Sequence, residues 1–414
     1  MRQQAWLAIV FCALLALAAG GPTTAYAENG GGAGAQRQLQ ATDGISGDHF
    51  GVSVALSGDG RVALIGCYAK NSLRGAAYVF VRHNNTWIEE QELLAVDGGS
   101  GDRFGRSVAL SADGNVALIG APGKNAGVGV AGKGAAFVFV RHNQIWTQRQ
   151  LQATDSTFGD RFGVSVALSS DGRVALIGAP TKNAIGAAYV FTQYNDIWTQ
   201  QGELRATDGA PGDLFGFSAS LSKDGRVALI GALGKSTFKG AAYVFAQHYN
   251  WTQLQEVQAT DGAAGDDFGI SVALSDNGRF ALIGADAEDG KGAAYVFARD
   301  YLWTQQHWTQ QQELRAKDGA AGDSFGESAA FANDGTVALI GANGKNGKGA
   351  AYVFGRHDQN WTRQRELLAK DGATGDDFGF SGALSDDGQT SLIGADGKNA
   401  STGAAYVIEI DDDR

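Results

Sequence analysis

The chain has 414 residues with 33 basic and 44 acidic side chains, a formal net charge of −11. This acidic excess repels nucleic acid and anionic lipid, so we expect neither as a partner. Hydrophobic residues make up 44% of the chain, and 61 glycines stand against 4 prolines. The composition therefore predicts a globular protein that is rich in turns.

The first 27 residues have the pattern of a secretory signal peptide. Arg2 supplies the positive charge, an apolar stretch follows over 6–19, and Ala25-Tyr26-Ala27 is a small-x-small cleavage site. The apolar stretch is short for a membrane span, so an uncleaved anchor is the weaker alternative. We expect an exported protein without membrane insertion, secreted or associated with the cell surface. Residues 28–35 are predicted to be a flexible, Gly-rich lead-in.

Cysteine content excludes an intramolecular disulfide in the mature chain. Cys12 lies in the predicted signal peptide, which leaves Cys67 alone. Cys67 ends an apolar segment where the equivalent segments of the chain carry alanine. We therefore expect a buried, unreactive thiol.

Seven copies of one unit of about 53 residues fill positions 36–410. Each copy has a loop close to D-G-x-x-G-D-x-F-G. Its Phe-Gly pairs are Phe50-Gly51, Phe104-Gly105, Phe162-Gly163, Phe215-Gly216, Phe268-Gly269, Phe325-Gly326 and Phe378-Gly379. Repeats of this length are typical of propellers and arrays, in which one unit buries its faces only against its neighbours.

Each unit predicts four strands. In the first unit, residues 50–57 alternate large and small side chains, and Gly58-Asp59-Gly60 is a tight hairpin turn. Residues 61–66 and 75–81 are apolar on both faces, as expected of strands that lie between two layers. The polar segment 87–95 suits an outer edge, where polar side chains discourage pairing with other chains.

The distribution of strands favours a closed ring over an open solenoid. The seventh unit ends at its third strand, 403–410, while an extra copy of the fourth strand, 36–41, stands before the first unit. We therefore predict an all-β, seven-bladed β-propeller of four-stranded antiparallel blades, closed by the N-terminal strand pairing into the last blade. Residues 411–414 form an acidic tail.

The repeat resembles a known family. Its Phe-Gly opening, with the elements Gly120-Ala121-Pro122 and Gly178-Ala179-Pro180, is similar to the FG-GAP repeat of the integrin α-subunit N-terminal propeller and its bacterial secreted relatives. The resemblance implies binding or adhesion rather than catalysis. Integrin blades hold calcium in a loop of several aspartates between the first and second strands. Here that loop has one aspartate, as in the segment 57–61, so we expect no calcium there and no cofactor.

Two aspartates and one lysine recur in the predicted loops of one face. The aspartates run from Asp43 and Asp48 in the first copy to Asp371 and Asp376 in the last. The lysines are Lys70, Lys124, Lys182, Lys235, Lys291, Lys345 and Lys398. They form either a charged recognition ring or a structural device, and repetition in every blade favours the structural interpretation. The loop of Asp286, Glu288 and Asp289 is interpreted as a solvated acidic loop rather than a cation site.

Four apolar residues depart from the repeat and are the predicted ligand-binding site. Phe158 and Leu214 replace small or polar residues in loops that precede a Phe-Gly pair, and Leu233 and Phe238 lie in one loop after a second strand. An exposed apolar patch is a common mark of a partner site. The alternative is that these side chains fold down against their own loops.

These observations predict a non-enzymatic, monomeric binding propeller that recognises a protein partner through one loop face. The repeated carboxylates lack the asymmetry that an active site needs. The alternative is a lectin-like, carbohydrate-binding propeller that uses a tryptophan near the start of each outer strand. These residues are Trp87, Trp146, Trp198, Trp251, Trp303 or Trp308, and Trp361.

Overall fold

The computed structural model describes residues 25–26, 35–126, 131–300 and 307–410. These residues form seven antiparallel sheets of sequential strands, which confirms the predicted all-β, seven-bladed propeller. A two-residue strand, Ala25–Tyr26, adds to the first sheet beside Thr86–Leu93. The rest of the predicted signal peptide, residues 27–34 and the tail 411–414 lie outside the described residues.

The blades are numbered 1 to 7 along the chain, and the strands of each blade run from the central channel outward. The first strands are Phe50–Leu56, Ser107–Leu110, Val166–Leu168, Ala219–Leu221, Val272–Leu274, Phe325–Phe331 and Phe378–Leu384. The second strands are Val62–Cys67, Val116–Ala121, Val174–Ala179, Val227–Ala232, Phe280–Ala285, Val337–Ala342 and Thr390–Ala395. The third strands are Ala76–His83, Ala135–His142, Ala187–Tyr194, Ala241–Gln247, Ala293–Asp300, Ala350–His357 and Ala404–Glu409.

The fourth strands of blades 1 to 6 are Thr86–Leu93, Ile145–Leu151, Ile197–Leu204, Trp251–Val257, His307–Leu314 and Asn360–Leu367. Short helical turns follow six second strands: Lys70–Leu73, Lys182–Ala184, Lys235–Phe238, Glu288–Gly290, Lys345–Gly347 and Lys398–Ser401. Each of these turns contains residues with left-handed backbone angles. In the described part of the chain, no helix has the length and apolar character needed to cross a membrane.

The hydrophobic core lies between neighbouring blades rather than inside any one of them. At the junction of blades 7 and 1, Leu392 and Val407 pack in one cluster with Ile65 and Tyr78. The Phe50 ring meets the Tyr78 ring edge-on, with 5.5 Å between ring centroids. Burial of each large apolar side chain contributes about 1.5–3 kcal/mol, so a blade gains most of its stability from the blade beside it.

The Phe-Gly pair brings the backbones of neighbouring blades together. Phe50 forms a parallel bridge to Gly403 of blade 7, and the same bridge recurs at all seven junctions. Gly51 has a φ of +92°, and a Cβ atom on it would lie 2.3 Å from the Ala404 carbonyl oxygen. Only glycine tolerates both this backbone angle and this contact.

Two rings of hydrogen bonds run around the whole propeller. In the first, a serine hydroxyl of each blade donates to the Phe-Gly carbonyl of the next blade, from Ser53 to Gly105 at 3.0 Å through to Ser381 and Gly51 at 2.8 Å. The others are Ser107 to Gly163, Ser165 to Gly216, Ser218 to Gly269, Ser271 to Gly326 and Ser328 to Gly379.

The second ring joins the turns between the first and second strands through their backbones. Gly58 N–H donates to the Ala112 carbonyl at 2.9 Å, and the series returns to its start where Asp386 N–H donates to the Gly58 carbonyl at 2.9 Å. Within each turn one side chain, an aspartate in six blades and Asn277 in blade 5, accepts hydrogen bonds from the turn itself. Asp59 Oδ1 accepts from the Ser57 hydroxyl at 2.7 Å and from the Arg61 N–H at 3.1 Å.

The fourth strand of blade 7 is Gln36–Leu39, which pairs antiparallel with Ala404–Glu409. The Leu39 side chain is fully buried in the core between blades 7 and 1. The Gln36 side chain also reaches blade 6, because it donates to the Leu368 carbonyl at 2.9 Å and accepts from the Lys370 N–H at 2.8 Å.

We predict that Gly216→Ala destabilises the propeller far more than Gly212→Ala. Both glycines have a φ of +94°, so both substitutions carry the same backbone strain. A Cβ on Gly216 would lie 2.4 Å from the Ala187 carbonyl oxygen, whereas a Cβ on Gly212 meets nothing within 4 Å. The crowding should cost about 1–3 kcal/mol more, measured by denaturant unfolding. Equal losses for the two variants would contradict the close-approach explanation.

Deletion of residues 28–42 should lower the melting temperature and promote aggregation, because it removes Leu39 from the core and exposes the edge of Ala404–Glu409. Deletion of residues 28–35 alone is the control and should do neither. Thermal unfolding followed by light scattering measures both effects. If the two truncated proteins melt like the intact chain, the N-terminal strand does not close the ring.

Candidate functional site

The loops that enter the first strands and the loops that leave the second strands interlock on one side of the propeller, here called the loop face. At the junction of blades 1 and 2, Arg103 N–H donates to the Leu73 carbonyl at 2.7 Å, and Phe104 N–H donates to the Arg74 carbonyl at 3.1 Å. Similar bonds recur at the other junctions. Backbone hydrogen bonds therefore join neighbouring blades on the loop face.

Six lysines of the loop face are buried and each joins two aspartates. Lys182 Nζ lies 3.1 Å from Asp155 and 3.0 Å from Asp160, and it also donates to the Asp155 carbonyl at 2.6 Å. Burial opposes the charge of Lys182, but its hydrogen bonds to Asp160 and Asp155 outweigh burial and raise its pKa. The six, at most 9% exposed, are Lys70, Lys124, Lys182, Lys235, Lys345 and Lys398. They are structural cross-links, as the repetition indicated.

Blade 5 departs from this pattern. Its helical turn begins with Glu288, which is only 5% exposed, at the position where the other helical turns begin with a buried lysine. The expectation that Lys291 completes the ring of lysines is therefore wrong. Burial, with the nearby Asp266 and Asp261 carboxylates, raises the pKa of Glu288 to about 8. Arg315 compensates in part, 3.3 Å away. The interpretation of this loop as solvated is therefore also wrong for Glu288.

Three positions per blade surround the mouth of the central channel on the loop face, and together they are here called the funnel. The residues before each Phe-Gly pair are His49, Arg103, Arg161, Leu214, Asp267, Ser324 and Asp377. Those after it are Val52, Arg106, Val164, Phe217, Ile270, Glu327 and Phe380, which line the channel. Those after the second strands are Tyr68, Pro122, Pro180, Leu233, Asp286, Asn343 and Asp396. No funnel position is uniform around the ring, unlike the residues that build the frame.

One half of the funnel, on blades 2 to 4, is basic and apolar. It encloses a cavity of about 400 Å³ lined by Arg103, Arg106, Arg161, Leu214 and Phe217 among others. Burial lowers the pKa of Arg106, although the acidic groups across the channel oppose this shift. Within the described ranges, no hydrogen bond or ion pair joins any of the three guanidinium groups to another side chain.

The other half of the funnel, on blades 5 to 7, is acidic. Burial and the Asp286 and Asp266 charges raise the pKa of Asp267 to about 6, and burial with the Asp286 charge raises that of Glu327 to about 7. Asp396 is 7% exposed and pairs with His49 Nδ1 at 3.2 Å. One buried oxygen of each of Asp267, Asp286 and Asp396 meets no donor among the described residues.

The four predicted site residues do not form one patch. Phe158 is 55% exposed and lies against Lys133 of blade 2, whose ammonium is 5.0 Å from the ring centroid. Phe238 is 46% exposed and sits in a left-handed turn whose carbonyl accepts from Asp267 N–H of blade 5. Leu214 lines the cavity, whereas Leu233 is 5% exposed, so its inclusion in an exposed patch is wrong.

Arg106, Phe217 and Glu327, which sequence analysis did not single out, are funnel residues. The available signal for Arg106 and Glu327 was their departure from Val, Ile or Phe at one position of the seven copies, a signal that Phe217 does not give. Cys67 is buried, and its Sγ lies 3.2 Å from the Asp48 carbonyl oxygen. Burial raises the pKa of this thiol, as expected for an unreactive cysteine.

Over the described ranges, no group of three or more Asp, Glu, His or Cys side chains is arranged to hold a metal ion.

Comparisons with known proteins agree with the fold. The model of the FG-GAP repeat matches residues 34–80, 87–139, 146–191, 198–245, 251–297, 308–354 and 361–408. No curated protein matches the chain significantly in sequence.

Two solved structures show the same fold at low sequence identity. Hydrazine synthase of Kuenenia stuttgartiensis superposes with a TM-score of 0.60 at 11% identity, over 90% of this chain and 98% of that one. The protein U3-55K superposes with a TM-score of 0.58 at 10% identity, over the same shares. At such identity the similarity shows the fold alone.

We predict that Glu288→Lys stabilises the protein, because it restores in blade 5 the ion pairs of the other six blades. Because the pKa of Glu288 is raised to about 8, the contribution of this one side chain to stability is greatest below pH 4.5 and is lost as the pH rises through about 8. The gain in melting temperature should therefore be largest near pH 9 and smallest near pH 4.5.

The reverse substitution in blade 6, Lys345→Glu, is the matched control for this prediction. It breaks a buried ion pair and should cost about 3–5 kcal/mol. A melting temperature that Glu288→Lys leaves unchanged or lowers at pH 9 would show that Arg315 already compensates for the missing lysine.

Proposed function

The chain belongs to the FG-GAP repeat family, and we propose that it is an exported, non-enzymatic propeller that binds a protein partner through the funnel of its loop face. The observation that carries this proposal is the uneven distribution of charge around the funnel. Basic and apolar residues gather on blades 2 to 4 and carboxylates on blades 5 to 7, although the blades are otherwise repeats of one another.

A polypeptide suits this surface better than a uniform ligand does. The funnel offers apolar contact, cationic donors and anionic acceptors within one mouth, and a folded protein presents such mixtures on its own surface. Around the funnel, Phe158 and Phe238 expose about half of their side chains. Partly exposed aromatic residues are frequent anchors in protein interfaces, so these two extend the proposed contact beyond the funnel.

Burial of the tryptophans favours a protein partner over a sugar. Sugar binding needs an exposed aromatic face, whereas Trp87, Trp308 and Trp361 are at most 3% exposed. Trp308 occupies the repeated position in blade 5, and Trp303 lies outside the described residues. Trp146 is only partly exposed, and the Arg141 guanidinium lies 6.0 Å from its ring centroid. A lectin-like function is therefore the second candidate, because Trp87, Trp308 and Trp361 offer no exposed ring face.

Export rests on the sequence pattern of residues 1–27. Cleavage after Ala27 removes the strand Ala25–Tyr26 and leaves the four regular strands of blade 1 intact. The buried lysine–aspartate pairs replace disulfides as cross-links of the loop face, and they hold without an oxidising environment. The mature chain is therefore compatible with several locations, and the signal pattern alone supports an extracellular one.

We predict that a polypeptide captured from the native surroundings of the protein depends on Arg161. Arg161 and Arg173 are both exposed arginines of blade 3, but Arg161 lies in the funnel and Arg173 in a turn of the opposite face. Immobilised wild-type protein and Arg173→Glu should retain the same polypeptide, whereas Arg161→Glu should lose it. Calorimetry with the purified polypeptide should show at least a tenfold weaker binding to Arg161→Glu.

Three outcomes would contradict the proposed function. Retention of the same polypeptides by both variants would place the contact elsewhere. Binding to one class of sugar on a glycan array, without polypeptide binding, would favour the lectin alternative. Hydrolytic activity of the purified protein that Glu327→Gln abolishes would show that the raised pKa of this carboxyl serves acid–base catalysis instead.

A further inference from the structure

Three arginines line the cavity of blades 2 to 4, and among the described residues no ion pair joins their guanidinium groups to a carboxylate. Arg103 and Arg161 stand at the same position of neighbouring blades, and Arg106 lines both the cavity and the central channel. The charge of Arg103 contributes to the lowered pKa of Arg106, as expected of like charges at close range. Guanidinium groups bind carboxylates through two parallel hydrogen bonds, so a carboxylate would reduce the positive charge of the cluster and accept hydrogen bonds from it.

Most other side chains that line the cavity are apolar. Pro122, Pro180 and Val164 form part of its wall, with Leu214 and Phe217 on the side of blade 4. Leu214 replaces the charged or hydroxyl-bearing residues that six other blades have at this position. The volume of about 400 Å³ exceeds what one ammonium or carboxylate group needs and is within the range of small-ligand pockets.

The acidic half of the funnel limits how much negative charge a ligand can carry. Glu327 and Asp396 lie close enough to Arg106 to affect its pKa, and Asp267, Asp286 and Asp377 extend the acidic surface around the mouth. A polyanion that fills the funnel would meet these carboxylates. A single carboxylate placed among the arginines would not, because the rest of its chain can be neutral or basic.

We infer that the cavity binds a segment of the protein partner in which an acidic residue adjoins a large apolar one. The carboxylate is held by Arg103, Arg106 and Arg161, and the apolar side chain packs on Leu214 and Phe217. This inference rests on the proposed function and adds to it the chemistry of the recognised segment.

The test uses three fluorescein-labelled, end-capped peptides that are identical except for one residue: Gly-Gly-Glu-Phe-Gly-Gly and its Gln and Lys analogues. Fluorescence anisotropy of the mature protein should show binding of the Glu peptide at least tenfold tighter than that of the Gln peptide, and weakest binding of the Lys peptide. Arg106→Gln should abolish the preference for Glu over Gln. Leu214→Ala should weaken both peptides and leave that preference unchanged.

Controls separate loss of fold from loss of contact. If Arg106→Gln has the melting temperature of the wild type, its loss of preference reflects a lost contact and not a lost fold. If Arg106→Gln unfolds, the double variant Arg103→Gln with Arg161→Gln, which changes two exposed arginines, is used in its place. Equal binding of the Glu and Gln peptides to wild type would overturn the inference, as would a preference that survives removal of the arginines. If a polypeptide is still captured through Arg161 in that case, the proposed function stands and only the identity of the segment is wrong.

Discussion

The structure depends on the approach of two backbones at each Phe-Gly pair. The glycine adopts a positive φ, and a carbonyl of the preceding blade occupies the space that a side chain on this residue would need. The adjacent phenylalanine fills the core between the same two blades. One dipeptide therefore sets both the spacing and the packing of neighbouring sheets. Because this contact is repeated at every junction, blades 7 and 1 pack against each other in the same way as the other neighbouring blades.

Charge has two separate roles in this protein. The buried lysines and their aspartates fix the shape of the loop face from within, as in the pairs of Lys182 with Asp155 and Asp160. The funnel charges, such as Arg161 and Asp377, stand on backbone that these pairs and the interlocking loops already hold in place. A funnel residue can consequently change without disturbing the frame, which explains how a set of near-identical blades carries so uneven a surface.

Local signals were sufficient to predict the fold. The turn Gly58-Asp59-Gly60 and the strands that flank it were evident because glycine, alternation and continuous apolar runs act within a few residues of each other. The site was harder to predict, because ring closure brings Arg106 and Glu327 to one channel from distant parts of the chain. Only comparison of the same position across all copies shows the pattern.

Two errors have physical causes of their own. Lys291 was predicted to be the equivalent of the other loop lysines because each loop after a second strand contains one lysine, whereas burial depends on one position within the turn, which Glu288 occupies in blade 5. Leu233 was predicted to join an exposed patch because it departs from the repeat, but it directly follows a buried strand and is itself buried. Both cases show that loop composition alone does not determine which side chain is buried.

The pairing of Gln36–Leu39 with Ala404–Glu409 has a mechanical consequence. In this antiparallel pair Gln36 lies opposite Ile408, so the two ends of the propeller leave it side by side. A force that pulls the two termini apart would break the hydrogen bonds of this strand pair one after another and would not load all of them at once. A pull transmitted from a ligand in the funnel would instead be shared by the loops of several blades. The molecule should therefore resist load on its loop face better than load between its own termini.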